Sequence, residues 1–220
     1  MPVTERVPAA APRRGRPGYE REQVLGIAVQ LFNERGYDPT SVADLAARLG
    51  LTKSALYHHF ESKEQVLEQA LDVALTALED LLDDPAAAEG SAASRLAHVV
   101  RGAVVVLIDK LPYVTLLLRV RGNSDVETRA LERRRIFDHR VTEVVATAQR
   151  EGLLRQDIDP GVATRLIFGM INSLTEWYRP GGRLDADRMG SMVLTTALDG
   201  LQVPAPQAQG ESLRPVQDGV

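Results

Sequence analysis

Lys53, Ser54, Tyr57 and His58 carry side chains suited to gripping another molecule: an amine, a hydroxyl, a phenol and an imidazole. With successive helical residues turned by about 100°, all four fall on one face of a short helix beginning near Thr52. Leu56, His59 and Phe60 turn inward. That face matches what a duplex requires. Thr52, Lys53 and Ser54 occupy the helix end that reaches base edges in a major groove, where free backbone amides also meet phosphate. Tyr57, His58 and Lys63 suit phosphate contacts, which set register without reading sequence. Ser41, at the start of the preceding helix, joins the residues expected to face DNA.

Other chemistries fail on residue type or spacing. The chain of 220 residues has no cysteine, which excludes disulfides, thiolate metal sites and Cys nucleophiles. His58-His59 sits beside Glu61 and Glu64, yet adjacent helical residues diverge and no His pair at i, i+4 exists for a metal. A di-iron bundle needs inward Glu-x-x-His repeats, and none is present. There is neither a phosphate-binding Gly-Lys-Ser/Thr loop nor a Gly-x-Ser-x-Gly elbow, so the chain reads as no enzyme and as needing no cofactor or metal. The most apolar stretch, residues 104–120, is broken by Asp109, Lys110, Pro112 and Arg119 and cannot cross a bilayer. With no secretory leader, the expectation is a soluble, cytoplasmic protein.

The elements that must position the polar face are all helical. Residues 20–35 place Val24, Ile27, Ala28, Leu31 and Phe32 at helical spacing, and Gly36 stands where a C-terminal cap belongs. Ser41 and Asp44 form a capping box for a second helix, which Gly50 ends. The third helix spans about 52–59. Ser62 with Gln65 opens a long fourth helix reaching residue 82, followed by an acidic connector over 83–91. Further helices are expected at 92–110, 113–120, 124–149, 160–178 and 187–201. Asp159-Pro160 is a strong start signal, a capping side chain followed by proline at the first helical position. The fold expected is all-α: an N-terminal three-helix helix-turn-helix domain (20–64) and a C-terminal helical bundle (65–202) for ligand binding and dimerisation. A basic arm (1–19) and a Pro/Gln-rich tail (203–220) flank them and are expected to be disordered. The net charge is −4, whereas residues 1–64 are almost balanced, so DNA binding must rest on local geometry with the acidic bulk held away from phosphate.

The segment Thr40-Ser-Val-Ala-Asp-Leu-Ala46, then Leu49-Gly-Leu-Thr-Lys-Ser-Ala-Leu-Tyr-His-His-Phe60 and Ser62-Lys-Glu64, preceded by Gly36-Tyr37, resembles the TetR family of repressors. The match covers about 45 residues, and its Leu-Tyr-x-His-Phe-x-x-Lys ending is not a feature of helix-turn-helix units in general. The resemblance implies an all-helical homodimer on palindromic operator DNA, its fourth helix joining the DNA-binding head to a ligand-binding body. Upstream, Arg13-Arg-Gly-Arg-Pro17 is similar to an AT-hook core. Arg14 and Arg16 are therefore candidates for a minor-groove arm, with a merely basic tail as the alternative.

The helix at 160–178 is apolar nearly all round and must be covered on both sides. The TetR resemblance implies a pocket on one side and a partner subunit on the other, with plain monomer core as the alternative. Gly169 is expected to allow close helix approach, and Met189, Met192, Val193, Ala197 and Leu198 to supply the second helix of a four-helix dimer interface. The run Asn172–Gly182 resembles TetR-type regulators of acyl-CoA metabolism. Leu111-Pro-Tyr-Val-Thr-Leu-Leu-Leu-Arg-Val-Arg-Gly-Asn123 resembles regulators of the PaaR type. These resemblances imply an acyl-CoA effector such as phenylacetyl-CoA. Tyr113, Arg119, Arg121, Phe168, Asn172 and Trp177 are the ligand-binding candidates, the two arginines for phosphates or a polar group near the thioester. The alternative is that Arg119 and Arg121 pair with nearby acids while Tyr113 and Trp177 fill core. The competing reading is an architectural DNA-binding protein that uses its Arg-rich arm and answers to no small molecule.

Overall fold

The computed structural model describes residues 20–201. Arg14, Arg16 and the two terminal segments expected from the sequence lie outside them. Every regular element among the described residues is a helix.

The head consists of α1 (Arg21–Arg35), α2 (Val42–Leu49) and α3 (Lys53–Tyr57). Their caps are local and follow from sequence: Glu20 with Gln23, Ser41 with Asp44, and the Thr52 hydroxyl accepting from the Ala55 N–H at 3.1 Å. Gly50 ends α2 at φ 64°, ψ 30°, a left-handed turn that only glycine adopts without penalty. From there α4 (Lys63–Asp83) runs into the body, burying Val66, Leu67, Ala70, Leu71, Ala74 and Leu75 at the spacing of one helical face.

The body adds α5 (Pro85–Ala88), α6 (Ala92–Asp109), α7 (Leu111–Arg119), α8 (Asp125–Arg150), α9 (Pro160–Trp177) and α10 (Ala186–Leu201). The short α5 is a correction to the expected connector. Asp84 caps the Ala86 N–H at 2.8 Å and Pro85 stands at the first helical position, enough for a single turn too brief to show periodicity.

Three arginines of α8 meet acids of α4 in the same chain order: Arg129 with Glu68 (2.7 Å), Arg133 with Asp72 and with Glu79 (2.7 Å), and Arg140 with Asp83 (2.8 Å). The two helices therefore run parallel. One apolar cluster extends from Phe32, Leu45 and Leu56 in the head through Leu67 and Leu71 of α4 to Val141 and Ile167 in the body.

On α9, Ala163, Ile167, Ile171 and Leu174 are buried, while Leu166 (59%) and Trp177 (54%) are exposed. Two details differ from the sequence expectation. A side chain at Gly169 would meet nothing of its own chain, so Gly169 admits no helix of this subunit. On α10, Met189, Leu194 and Ala197 are buried, and Gly190 sits so close to α6 that a Cβ there would lie 3.3 Å from the Arg101 backbone. Of the α10 residues expected between subunits, Met189 and Ala197 are thus buried in this subunit, Val193 and Leu198 are half-buried and Met192 is exposed. No helix among the described residues is long and apolar enough to cross a membrane.

Candidate functional site

Two sites emerge, one in the head and one in the body. In the head, Leu56 and Phe60 are buried and anchor α3, while Thr52, Lys53, Ser54, Tyr57 and His58 are exposed. His59 is half-buried. The α3 face read from the sequence is thus assembled as a single outward surface beside the Gly50 turn. Its hydroxyl, amine and imidazole groups can donate to base edges and phosphates alike.

Ser41 and Lys63, expected to face DNA, are instead committed to the protein. The Ser41 hydroxyl accepts the Asp44 N–H at 3.1 Å, and the Ser41 N–H donates to the Asp44 carboxylate at 2.8 Å. The Ser41 hydroxyl and N–H, followed by nearby Arg35, hold the Asp44 carboxyl below its ordinary value. The Lys63 ammonium donates to the carbonyls of Tyr37 (3.1 Å), Asp38 (3.4 Å) and Thr40 (3.0 Å) and lies 4.2 Å from the Tyr37 ring centre. An ammonium has three protons, so none is left over for a phosphate. This is a correction: Lys63 fastens the turn between α1 and α2. Burial, with Glu64, Asp38 and Glu127 around it, pushes the Tyr37 phenol up to about 12.

In the body, α6, α7, α8 and α9, with Leu78 of α4, line an open-mouthed cavity of about 600 Å³. Leu107, Val114, Leu117, Leu118, Phe137 and Phe168 give it an apolar wall, with Phe137 and Phe168 edge to face at 5.4 Å. Arg134, Arg135 and Arg165 bring three guanidiniums to the lining, and Asp138, Thr142, Thr164 and Asn172 add polar groups. Burial pushes the Asp138 carboxyl above its ordinary value, against the pull of Arg134 and Arg165.

Of the sequence candidates, Phe168 and Asn172 line this cavity. Tyr113, Arg119, Arg121 and Trp177 do not, each for a visible reason. Arg119 donates to the Asn33 carbonyl at the end of α1. Asn33 in turn donates from its amide to the Pro112 carbonyl at 2.8 Å. Tyr113 packs beside Gly26 of α1. Arg121 is exposed in the α7–α8 turn, whose three N–H groups at 121–123 converge on the buried Glu127 carboxylate at 2.7–3.2 Å. Trp177 lies on the open face of α9.

The cations that reach the cavity were hidden in sequence because α8 is charged along most of its length. Arg134, Asp138 and Thr142 recur every four residues along one stripe, but that stripe looks like a solvated face until α9 covers it. The outcome gives α7 two roles. Val114, Leu117 and Leu118 form cavity wall, while Pro112 and Arg119 grip α1 of the head.

Comparison with known proteins agrees with this architecture. Residues 24–70 match the family model described as bacterial regulatory proteins, tetR family, and residues 89–201 match a tetracyclin repressor-like C-terminal domain. The chain belongs to the TetR family of DNA-binding transcriptional regulators. It is 31% identical over 210 residues to the HTH-type transcriptional repressor KstR2 of Mycolicibacterium smegmatis, covering 89% of this chain and 95% of that protein. Among solved structures, SCO3833, a TetR-family regulator from Streptomyces coelicolor A3, is 45% identical with a TM-score of 0.77, covering 89% and 94% of the two chains. The ketosteroid regulator KstR2 of Mycobacterium tuberculosis is 25% identical with a TM-score of 0.73, over 86% and 98%. AibR, solved with isovaleryl coenzyme A and operator DNA, shares the fold at 24% identity and a TM-score of 0.68, over 80% and 97%. These relatives are regulators, not enzymes.

Proposed function

We propose that this protein is a ligand-responsive repressor. It binds palindromic operator DNA as a homodimer and leaves it when an acyl-CoA, phenylacetyl-CoA among the first to test, fills the body cavity. On DNA, Lys53 with Thr52 and Ser54 reads base edges, while Tyr57 and His58 hold phosphates. The observation that carries the reading is α7, which is at once a wall of an apolar cavity and the clasp on the DNA-binding head. A purely architectural DNA-binding protein has no use for such a cavity.

The cavity chemistry supports the effector class. An acyl group gains by leaving water for the Leu107, Val114, Leu117 and Phe168 wall, and Arg134, Arg135 and Arg165 offer forked donors suited to phosphate oxygens. Isovaleryl coenzyme A bound to AibR, a protein of the same fold, is in keeping with this.

Release follows from linkage. A ligand that prefers the body with α7 displaced also prefers a displaced α1, and dimers with badly spaced heads dissociate from DNA. The dimer face proposed is the exposed stripe Val162, Leu166, Gly169 and Trp177 of α9 with Met192 of α10.

A thermal-shift screen of acyl-CoAs on the purified protein tests the effector reading, because a ligand that binds only the native state raises its melting temperature. Phenylacetyl-CoA or another acyl-CoA is expected to raise it, and Arg134→Ala with Arg165→Ala to erase the rise. A flat response to all of them rejects the effector class.

A further inference from the structure

Apart from His139 and Asn172, which can donate and accept, the polar groups of the cavity lining are of two kinds with different hydrogen-bonding capacities. Arg134, Arg135 and Arg165 only donate. The second kind is a patch of Asp138 and Thr142 on α8 with Thr164 on α9, whose hydroxyl protons are engaged within the protein, so that it presents lone pairs to the cavity. The Thr142 hydroxyl donates to the Asp138 carbonyl at 2.8 Å or to the Thr164 hydroxyl, and the Thr164 hydroxyl donates to the Pro160 carbonyl at 2.9 Å. The two hydroxyl oxygens stand 3.2 Å apart with lone pairs left over. Asp138 adds a carboxylate that is in no ion pair among the described residues and feels Arg134 and Arg165 only as nearby charges. Thr164 is 3% exposed, so the patch reaches well inside the wall. Asn172, which can donate, lies about 12 Å further along α9 by helical rise.

A polar atom of the ligand lodged against this patch must bring a proton. A ketone or carboxylate would face lone pairs and a negative charge, whereas a hydroxyl would satisfy them. Arg135 and Arg165 are exposed whereas Thr164 is buried, which assigns that hydroxyl to the acyl group that enters the cavity rather than to the nucleotide end.

Resting on the acyl-CoA reading above, we propose that the effector is a hydroxyacyl-CoA whose acyl hydroxyl donates to Asp138, with Thr142 and Thr164 as the adjoining acceptors. Asp138 is then a specificity residue, and the burial that disfavours its charge is repaid when the ligand hydroxyl replaces lost water.

The test is calorimetric titration of the full-length protein with four probes: octanoyl-CoA, β-hydroxyoctanoyl-CoA, ω-hydroxyoctanoyl-CoA and β-ketooctanoyl-CoA. One hydroxylated probe is expected to bind about tenfold or more tightly than octanoyl-CoA, the gain typical of a hydrogen bond to a charged group. The ketone is expected to bind no better than octanoyl-CoA. Asp138→Leu should bring the ratio of hydroxylated-probe affinity to octanoyl-CoA affinity down to about one. Asp138→Asn, which keeps the side chain's shape but adds a donor, should narrow the gap between hydroxyl and ketone. Equal binding of all four by the wild-type protein overturns the hydroxyl inference and leaves the acyl-CoA reading standing. A preference that survives in both Asp138 variants overturns the assignment to Asp138. Binding of none of the four, nor of any acyl-CoA in the thermal-shift screen, removes the acyl-CoA reading and this inference with it.

Discussion

Lys53 and Lys63 are both cations of the head, but only one presents its charge to solvent, and two opposite predictions follow. Lys53→Ala is expected to cost about 1–3 kcal/mol on the preferred operator and to relax discrimination at the base it contacts. Anisotropy titrations on operator and single-base variants measure this, and unchanged discrimination removes Lys53 from base readout. Lys63→Ala removes a donor from three carbonyls, of which that of Tyr37 keeps the Thr40 N–H. It should lower thermal stability while leaving the salt dependence of operator binding as in the wild type. A slope reduced by about one, the signature of a lost phosphate contact, would restore Lys63 to the DNA. Asp138 gives a third prediction at this scale. Its folded pKa is raised, so ionisation opposes folding at pH above the ordinary carboxylate range and has no effect once both states are protonated. Asp138→Asn without ligand should therefore melt higher at neutral pH, with the gain vanishing as pH falls through that range. A gain independent of pH would assign the effect to packing.

The helices separate what is legible in a sequence from what is not. Ser41 with Asp44, Ser62 with Gln65, and Asp159-Pro160 announce their helices because capping is settled within four residues. The α3 face is legible for the same reason, since α3 needs only Leu56 and Phe60 inward to turn Lys53, Ser54, Tyr57 and His58 out. The cavity is not local. Whether Arg119 or Arg134 reaches it depends on which face α7 turns to α1 and which stripe of α8 lies under α9, and spacing alone is silent on both. Composition misleads here too: the apolar Leu111–Val120 run suggests a pocket arginine at its end, yet that end is where α7 clasps the head. At this scale Arg119→Ala is expected to uncouple the sites. Acyl-CoA would still raise the melting temperature, but it would change operator affinity less than in the wild type. Full release in the variant would show that the signal travels by another route, with α4 and its Arg133 bridge to α8 the next element to examine.

The molecule as a whole needs a second copy to place two α3 faces on successive turns of a duplex, one helical repeat of about 34 Å apart or a multiple of it. Leu166→Glu puts charge in the middle of the open α9 stripe and is expected to yield monomers by sedimentation together with loss of operator binding. Dimers that persist in this variant would move the interface elsewhere. The single continuous core from Phe32 to Ile167 lets a change at the cavity be felt at the head, and the two sites are meaningful only if they communicate. The most direct measurement is operator affinity for the wild-type protein across a titration with an acyl-CoA that the thermal screen shows to bind. The expected result is a dissociation constant rising to a plateau about tenfold or more above its starting value, within the usual range of allosteric coupling. A ligand that saturates the cavity while operator affinity stays constant would contradict the account.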